Sequence, residues 1–393
     1  MRFSLYREKL KKLYEDEQLA DELVETMKKE FAPFIRTQNH QRWLDEGDVV
    51  LITYGDTLSE RNVPTLSTLK RFLDERVGNS ISTVHILPMF PYTSDDGFSV
   101  VDYYSIHHKL GTWDDIAKLG EHYQLMFDAV VNHVSKQHPW FQAFLRQEKP
   151  YTEFFITGDP EDDYSRVTRA RTHPLLTPFI CSDGSTIHVW TTFSDDQVDL
   201  NYGCPQVLLE VIKVLLTYAV KGARFIRLDA VGFLWKELGT SCIHHPKTHE
   251  IIKLMRLILE DYAPGTLLVT ETNVPQKENL SYFGQGDEAH LVYQFPLAPL
   301  VMYTLRSGSS DAFCSWLKTL PAPKDGTTYF NFLASHDGIG LRPVDSLLTE
   351  SEREFLINAA LISGGSVSYK ANGNGTKTAY ELNINYQDAL SSP

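Results

Sequence analysis

Short apolar runs alternate with helical patterns along most of the chain. The runs are rich in Val, Ile, Leu and Phe and have few polar interruptions, which is typical of strands buried on both faces of a parallel sheet. The segments between them carry apolar residues at spacings of three and four, as amphipathic helices do. The alternation therefore predicts an α/β fold. The predicted strands are 49–54, 83–88, 125–131, 225–228, 266–270, 290–295 and 329–333.

Seven strand-and-helix units favour a (β/α)8 TIM barrel over an open doubly wound sheet. Residues 134–190 break the alternation, because they are polar and contain several prolines, and they predict an inserted subdomain after the third strand. The segment 364–393 is rich in Gly, Asn and Ser and offers no convincing eighth strand. We therefore expect a barrel that is truncated before strand 8. The predicted helices are 5 to about 30, 65–76, 112–122, 205–220, 246–262 and 350–363.

A chain of 393 residues, 42% hydrophobic, can bury a large core. One large α/β domain with an insertion fits this length as well as two domains do. The predicted parts are a helical extension (1–48), the first part of the barrel (49–133), an inserted subdomain (134–190), the second part of the barrel (191–363) and a loop or tail (364–393).

Charge and cysteine usage narrow the function classes. The formal net charge is −14 and no Lys/Arg cluster relieves it, so a nucleic-acid partner is disfavoured. No run of 18 apolar residues predicts a membrane span, and the first residues lack the apolar core of a signal peptide. The four cysteines are scattered, as in reduced cytosolic proteins, so we expect a cytoplasmic location. His244, His245 and His249 lack a completing carboxylate or cysteine, and we expect no metal site.

The strand at 225–228 delivers Arg227 and Asp229 to its C-terminal end. Residues two apart in an extended chain project to the same face, so the arginine should lie beside the carboxylate. A neighbouring cation lowers the pKa of a carboxyl group and keeps it ionised as a possible nucleophile. Taken alone, such a motif is more often an ordinary ion pair at a strand end.

Further polar residues cluster just past other strand ends, where barrel enzymes place their chemistry. Three carboxylates at one mouth suit glycosyl transfer: one attacks the anomeric carbon, one shuttles the leaving-group proton, and one binds sugar hydroxyls as positive charge develops. Besides Arg227 and Asp229, the clustered residues are Asp128, Asn132 and His133 after the third strand, Glu271 at the fifth, and His336 and Asp337 after the seventh.

Four blocks of this sequence resemble, in order and spacing, the signature regions of the α-amylase superfamily, glycoside hydrolase family 13. They are residues 128–133, 227–232, 271–273 and 334–338. Residues 51–56, 85–91, 94–99, 110–115 and 336–340 look like the sucrose phosphorylase branch of that family. Within the branch, residues 270–279 and 331–336 are most similar to glucosylglycerate phosphorylases.

The resemblance implies roles for individual residues. Asp229 would be the nucleophile, Glu271 the general acid/base and Asp337 the transition-state stabiliser. The glucosyl unit would be held in the donor subsite by Asp95, His133, Arg227 and His336. Family members retain anomeric configuration through a covalent glucosyl-enzyme that phosphate then attacks, so inorganic phosphate is the expected co-substrate and no other cofactor is expected.

The acceptor side departs from the sucrose phosphorylase pattern. Sucrose phosphorylases carry a tyrosine and a histidine where this chain has Phe233 and Asn273, which favours a relative with another acceptor. Arg169 and Arg171 match the Arg-x-Arg loop of the family and would bind phosphate or an acidic acceptor such as glycerate. They are otherwise solvent-exposed loop charges. Family members continue past 380–385 into an eighth strand, its helix and a C-terminal β-domain.

The sequence therefore predicts a retaining α-glucoside phosphorylase, with glucosylglycerate as the first expected substrate and sucrose as the second. Its partners would be a small sugar substrate and phosphate, and its oligomeric state stays open. One alternative is a hydrolase or transglucosidase with the same carboxylates. Another is an inactive, truncated protein of the amylase fold.

Overall fold

The computed structural model describes residues 1–36, 42–171, 173–371 and 377–391. Packing divides the chain into two compact units, Met1–Val269 and Thr270–Pro393. The finer domain boundaries expected from the sequence stay predictions. The parts of the expected extension and tail at 37–41, 372–376 and 392–393 lie outside the described residues.

A seven-stranded sheet contains its strands in chain order. The registered pairs along it are parallel, which confirms the α/β class and gives the sheet of a partial barrel. All seven strands expected from the sequence are present, with ends shifted by a few residues, and no eighth strand joins this sheet among the described residues. The strands are β1 (Val50–Thr53), β2 (Thr83–Ile86), β3 (Gln124–Val130), β4 (Ala223–Asp229), β5 (Leu267–Thr270), β6 (Leu291–Tyr293) and β7 (Thr328–Phe330).

Burial varies strongly along the sheet. Every residue of β2, β4 and β5 is buried, although β4 ends in charged residues. By contrast, every residue of β1 and of β7 is only partly buried. The inner strands are buried because both of their faces are covered. A charged side chain on β4 must therefore find its partners inside the protein.

Several helices begin at a capping side chain or at a first-turn proline. Pro205 and Pro246 occupy first-turn positions, where the missing N–H is not needed. The helix expected over 5 to about 30 is two helices, because Glu15 adopts a left-handed conformation and Asp16 caps the second one. In the described part of the chain, no helix is long and apolar enough to cross a membrane. The α-helices are Phe3–Tyr14, Glu17–Glu30, Thr65–Phe72, Trp113–Gly120, Pro139–Leu145, Pro205–Val220, Pro246–Tyr262, Gln276–Leu280, Leu297–Ser307, Asp311–Leu317, Glu350–Ile362 and Tyr386–Leu390.

The first helix of the N-terminal pair packs on the long helix that connects β4 to β5. Arg2 Nε donates to Asp261 Oδ1 at 2.8 Å, and the Tyr6 hydroxyl donates to Asp261 Oδ2 at 2.8 Å. Leu10 and Leu13 are fully buried on the same helix. The pair therefore covers the outside of a helix whose two ends lead to sheet strands.

The segment expected to be an inserted subdomain contains helix Pro139–Leu145 and an antiparallel hairpin, Leu176–Ile180 with Thr186–Trp190. Aromatic rings pack inside it: Phe141 lies 4.9 Å from Phe155 between ring centroids and 4.9 Å from Phe179. Edge-to-face contacts of this kind add to the stabilisation from burial. A second antiparallel pair, His133–Ser135 with Gln197–Asp199, connects the end of β3 to the chain that returns from the segment.

The end of the chain is more regular than the loop or tail expected from its composition. Ser366–Ala371 and Lys377–Asn383 pair as antiparallel strands, and Ile339–Gly340 joins the second of them. Leu382 is fully buried in the core of the Thr270–Pro393 unit together with Leu356. The expectation of an irregular tail over the whole of 364–393 was therefore wrong.

Candidate active site

Arg227 and Asp229 lie in contact at the C-terminal end of β4. Arg227 Nη1 is 3.0 Å from Asp229 Oδ1, which confirms that the two side chains share one face of the strand. Arg227 is 3% exposed and Asp229 is 9% exposed. A carboxylate in this position keeps a cation beside it.

Asp128 is a second partner of Arg227 and lies opposite it on β3. Arg227 Nη1 is 2.6 Å from Asp128 Oδ1, and His85 Nε2, from β2, is 2.7 Å from Asp128 Oδ2. Burial alone would raise the pKa of Asp128, but Arg227 and His85 outweigh burial and lower it to about 2. Asp128 therefore stays ionised as a fixed anchor for the arginine, and the sequence offered no role for His85.

Asp95 lies in a tightly constrained loop after β2. Asp95 and Asp96 both have positive φ, at 55° and 48°, which is uncommon for residues with a side chain. Gly97, at φ +111°, approaches Pro88 so closely that a Cβ would lie 2.8 Å from the proline carbonyl oxygen. Gln197 Nε2 donates to Asp95 Oδ2 at 2.9 Å. The loop thus presents an exposed carboxylate with a fixed orientation.

His133 is buried, 1% exposed, with both ring nitrogens engaged. Its Nε2 is 3.1 Å from the carbonyl oxygen of Phe98, and its Nδ1 is 3.1 Å from Asn132 Nδ2. Burial lowers the pKa of His133, so the imidazole is held neutral. The carbonyl of Phe98 also accepts from Gln197 at 3.2 Å, which connects His133 to the residue that holds Asp95.

Lys236 is a buried cation that the sequence analysis missed. Its side chain is 2% exposed, and its Nζ is 2.8 Å from Asp199 Oδ2 and 2.6 Å from Asn132 Oδ1. Asp199 is fully buried and also accepts from the backbone N–H of Thr192 at 3.0 Å. The signal available in the sequence was a lysine that directly follows Phe233, Leu234 and Trp235, since a charge after such a run needs a buried partner.

Arg169 and Arg171 belong to one loop but differ in environment. Arg171 is exposed, whereas Arg169 is half-buried and donates through Nη2 to the carbonyl of His173. Burial lowers the pKa of Arg169. Its Nε is buried and has no hydrogen-bond partner among the described residues. The role of Arg169 in anion binding stays a prediction.

Glu271 is the second residue of the Thr270–Pro393 unit and directly follows β5. It is partly buried. The loop after it is fixed by side chains: Thr272 Oγ1 donates to Asn279 Oδ1 at 2.7 Å, and Asn279 Nδ2 donates to the carbonyl of Tyr293 at 2.7 Å. The turn that carries Glu271 is thereby tied to β6.

Asp337 lines a small open pocket of about 80 Å³ within the same unit. The pocket wall also contains Asn273, Phe295, Phe332 and Tyr386. A concave site with an apolar wall and few polar groups is typical of small-molecule binding. His336 precedes Asp337, and its Nε2 lies 3.6 Å from Asp337 Oδ1. Two of the expected residues, Asp337 and the acceptor-side Asn273, thus line this pocket, and His336 is the sequence neighbour of Asp337.

The described residues contain no cluster of three or more His, Cys, Asp or Glu side chains that would hold a metal ion. All four cysteines are free, and Cys314 alone among them is exposed. The expected site residues themselves supply carboxylates, imidazoles and guanidinium groups. Within Met1–Val269, contacts connect Arg227 to Asp229, and connect Asp95 to His133 through Gln197 and Phe98.

A family comparison gives the class of protein. Residues 78–353 match the family described as "Alpha amylase, catalytic domain". The chain belongs to the α-amylase family, glycoside hydrolase family 13, and to its sucrose phosphorylase branch. This confirms the resemblance carried by the motifs at 128–133 and 227–232.

Individual proteins of known identity show which members of the branch this chain is similar to. The chain is 52% identical to the glucosylglycerate phosphorylase of Escherichia coli (strain K12) over 92% of this chain and 65% of the relative. It is 53% identical to the glucosylglycerate phosphorylase of Allomeiothermus silvanus over 91% of this chain and 64% of the relative. The crystal structure of sucrose 6F-phosphate phosphorylase from Thermoanaerobacter thermosaccharolyticum is similar at a TM-score of 0.79 and 29% identity, covering 88% of this chain and 72% of that one. The chain thus spans slightly under two thirds of the length of the two glucosylglycerate phosphorylases.

Proposed function

We propose that this chain carries the catalytic residues of a retaining glucosylglycerate phosphorylase. The observation that carries the proposal is 52 to 53% identity to two glucosylglycerate phosphorylases over about nine tenths of the chain, against 29% to a sucrose 6F-phosphate phosphorylase. The (β/α)8 barrel with an inserted subdomain, the cytoplasmic location and the small-molecule partners, a sugar and phosphate, belong to the same proposal.

The first half of the reaction breaks the glucoside. Asp229 attacks the anomeric carbon, and the bond from that carbon to the glycerate oxygen breaks. Glu271 gives its proton to the departing oxygen, and Asp337 binds sugar hydroxyls as positive charge develops on the ring. The contact between Arg227 and Asp229 supports this assignment, because it favours the ionised carboxylate that a nucleophile requires.

The second half delivers the sugar to phosphate. A phosphate oxygen attacks the same carbon from the face that glycerate has left, the bond to Asp229 breaks, and Glu271 recovers a proton from phosphate. Two inversions retain the α configuration of glucose 1-phosphate. Asp95, His133, Arg227 and His336 hold the glucosyl unit in the donor subsite.

An anion must bind next to the glucosyl unit in each direction of the reaction. Arg169 and Arg171 are the proposed ligands for phosphate or for the carboxylate of glycerate, because a guanidinium group binds both in a bidentate manner. Phe233 and Asn273 replace the tyrosine and histidine of sucrose phosphorylases, which favours glycerate over fructose as the acceptor.

Phosphate release from α-glucose 1-phosphate in the presence of glycerate, fructose or glycerol tests the proposal. We expect the fastest release with glycerate, no release by Asp229→Asn, and a loss of about 10²- to 10⁴-fold for Glu271→Gln. Asp21→Asn, at an exposed ion pair, is the control that should retain full activity. A folded protein that releases phosphate with none of the three acceptors would falsify the phosphorylase assignment.

The rival with the same carboxylates is a hydrolase or transglucosidase. Phosphate dependence separates the two, since a phosphorylase consumes glucosylglycerate in proportion to the phosphate supplied. Turnover of glucosylglycerate to free glucose at the same rate with and without phosphate would support the hydrolase.

A further inference from the structure

Four polar side chains form a continuous buried chain behind the proposed donor subsite. It runs from Asp199 to Lys236, then to Asn132 and His133, and ends at the carbonyl of Phe98. Asp199, Asn132 and His133 are at most 1% exposed, and the Lys236 side chain is 2% exposed. Of these residues, the proposed reaction uses only His133, so the burial of a lysine and a carboxylate beside it needs another reason.

The donor and the acceptor of each hydrogen bond in this buried series can be assigned, starting from the ion pair of Asp199 and Lys236. The carboxylate of Asp199 is an acceptor, so Lys236 Nζ donates to it at 2.8 Å. The same ammonium lies 2.6 Å from Asn132 Oδ1 and must face an oxygen there. The cation thereby determines which way the amide of Asn132 is turned.

The amide orientation has a consequence for His133. With Oδ1 on Lys236, the Asn132 NH2 group faces His133 Nδ1 at 3.1 Å and donates to it. An Nδ1 that accepts carries no proton, so the proton of the neutral imidazole is on Nε2. Nε2 then donates to the carbonyl of Phe98 at 3.1 Å, which agrees with the observed contact.

We propose that Lys236, held by Asp199, is a positioning residue that acts through Asn132 to keep His133 in the Nε2–H tautomer. The inference rests on the proposed function, in which His133 binds the glucosyl unit. In that role the Nε2–H of His133 donates to a sugar hydroxyl, and the same N–H also donates to the carbonyl of Phe98. Lys236 does not contact the substrate in this scheme; it determines the tautomer of His133, which does.

Histidine-selective ¹⁵N NMR tests the tautomer without using catalysis. His133→Gln identifies the His133 signals in the spectrum of the wild-type protein. We expect wild-type His133 to show the pattern of a neutral ring protonated at Nε2, and Lys236→Met to lose that single pattern. Lys236→Arg, unlike Lys236→Met, keeps a hydrogen-bond donor that faces Asp199 and Asn132. This variant should therefore retain the Nε2–H pattern at least in part. Lys221→Met, at an exposed lysine, is the matched control and should leave the spectrum unchanged.

Asn132→Asp guards against the case in which Lys236→Met fails to fold. The aspartate accepts from Lys236 but has no N–H for His133 Nδ1, so the proton is expected to move to Nδ1. Both variants should lower kcat/KM for the glucosyl donor about 10-fold, the size expected for one charge-linked hydrogen bond.

The outcomes separate this inference from the proposed function. A wild-type His133 protonated at Nδ1, or an unchanged Nε2–H pattern in folded Lys236→Met and Asn132→Asp, overturns the positioning role. A wild-type protein with the expected tautomer but no phosphorylase activity overturns the proposed function. The assigned hydrogen-bond directions from Asp199 to His133 would still hold in that case.

Discussion

Asp128 holds Arg227 more closely than Asp229 does, at 2.6 Å against 3.0 Å, and the two bonds use the same guanidinium nitrogen. The arginine is therefore shared between a fully buried carboxylate and a more accessible one. Asp128 fixes the position of the cation, and Asp229 benefits from the charge while staying available for chemistry.

Replacing Asp128 tests this division of labour. Asp128→Asn leaves Arg227 buried without its main counter-charge, and we expect the free energy of unfolding to fall by about 3 to 5 kcal/mol. Turnover should fall as well, because Arg227 is then free to bind Asp229 more tightly. Urea unfolding and initial rates measure both effects. The exposed Asp21→Asn variant should unfold at the wild-type midpoint, and an equally stable Asp128→Asn would contradict the anchoring role.

His138 predicts a loss of stability in acid. It is 4% exposed, its Nδ1 accepts from the backbone N–H of Trp140 at 3.1 Å, and burial lowers its pKa from 6.5 to about 4. Between those pH values the unfolded chain binds a proton that the folded protein does not, so stability falls as the pH falls from 6.5 to about 4. The contribution over that window is about 3 kcal/mol.

His138→Asn isolates this effect, because asparagine also caps a helix but does not titrate in this range. The gap in unfolding free energy between the variant and the wild type should shift in favour of the variant between about pH 7 and about pH 4. His108→Asn, at an exposed histidine, is the control. A gap that stays constant with pH would rule out a buried neutral His138.

Gly97→Ala tests the constrained loop that presents Asp95. The new Cβ would lie 2.8 Å from Pro88 atoms at a positive φ, so we expect a loss of about 2 to 4 kcal/mol in unfolding free energy and a higher KM for the glucosyl donor. Gly184→Ala has the same sign of φ but no atom within 4 Å, and it should lose only about 1 kcal/mol. Equal losses in the two variants would show that the approach to Pro88 is unimportant.

Phe233 and Asn273 predict a change of acceptor. The double variant Phe233→Tyr, Asn273→His restores the residue types of sucrose phosphorylases, and we expect the ratio of rates with fructose and glycerate to rise about 10-fold. Phosphate release with each acceptor measures the ratio. Phe355→Tyr adds a hydroxyl at an exposed ring and should leave the ratio unchanged, and an unchanged ratio in the double variant would remove these positions from acceptor choice.

The strands and the contact between Arg227 and Asp229 could be predicted because their signals are local. Apolar runs between helical patterns gave all seven strands of the sheet. The two-residue period of a strand placed Arg227 beside Asp229. The opposing position of Asp128 required the register of β3 against β4, which no local pattern contains.

Other features depend on residues far apart in the chain. Asp199 ends a strand and Lys236 lies in a loop 37 residues later, and only the folded protein brings the carboxylate to within 2.8 Å of the ammonium. The strands at Ser366–Ala371 and Lys377–Asn383 were missed for a different reason. The segment 364–393 that contains them is rich in Gly, Asn and Ser as a whole, although the two strands contain no glycine, and Leu382 on one of them is buried in the core of the unit.

The contact between Arg2 and Asp261 has a consequence for the synthesis of this protein. The N-terminal helices are made first, yet the surface that they cover is completed only after a further 259 residues have been added. At ribosomal rates of about 5 to 20 residues per second, that delay is roughly 10 to 50 s. During this time the helix that carries the apolar side chains of Leu10 and Leu13 lacks the helix on which it packs, so this part of the nascent chain is exposed to chaperones and to aggregation.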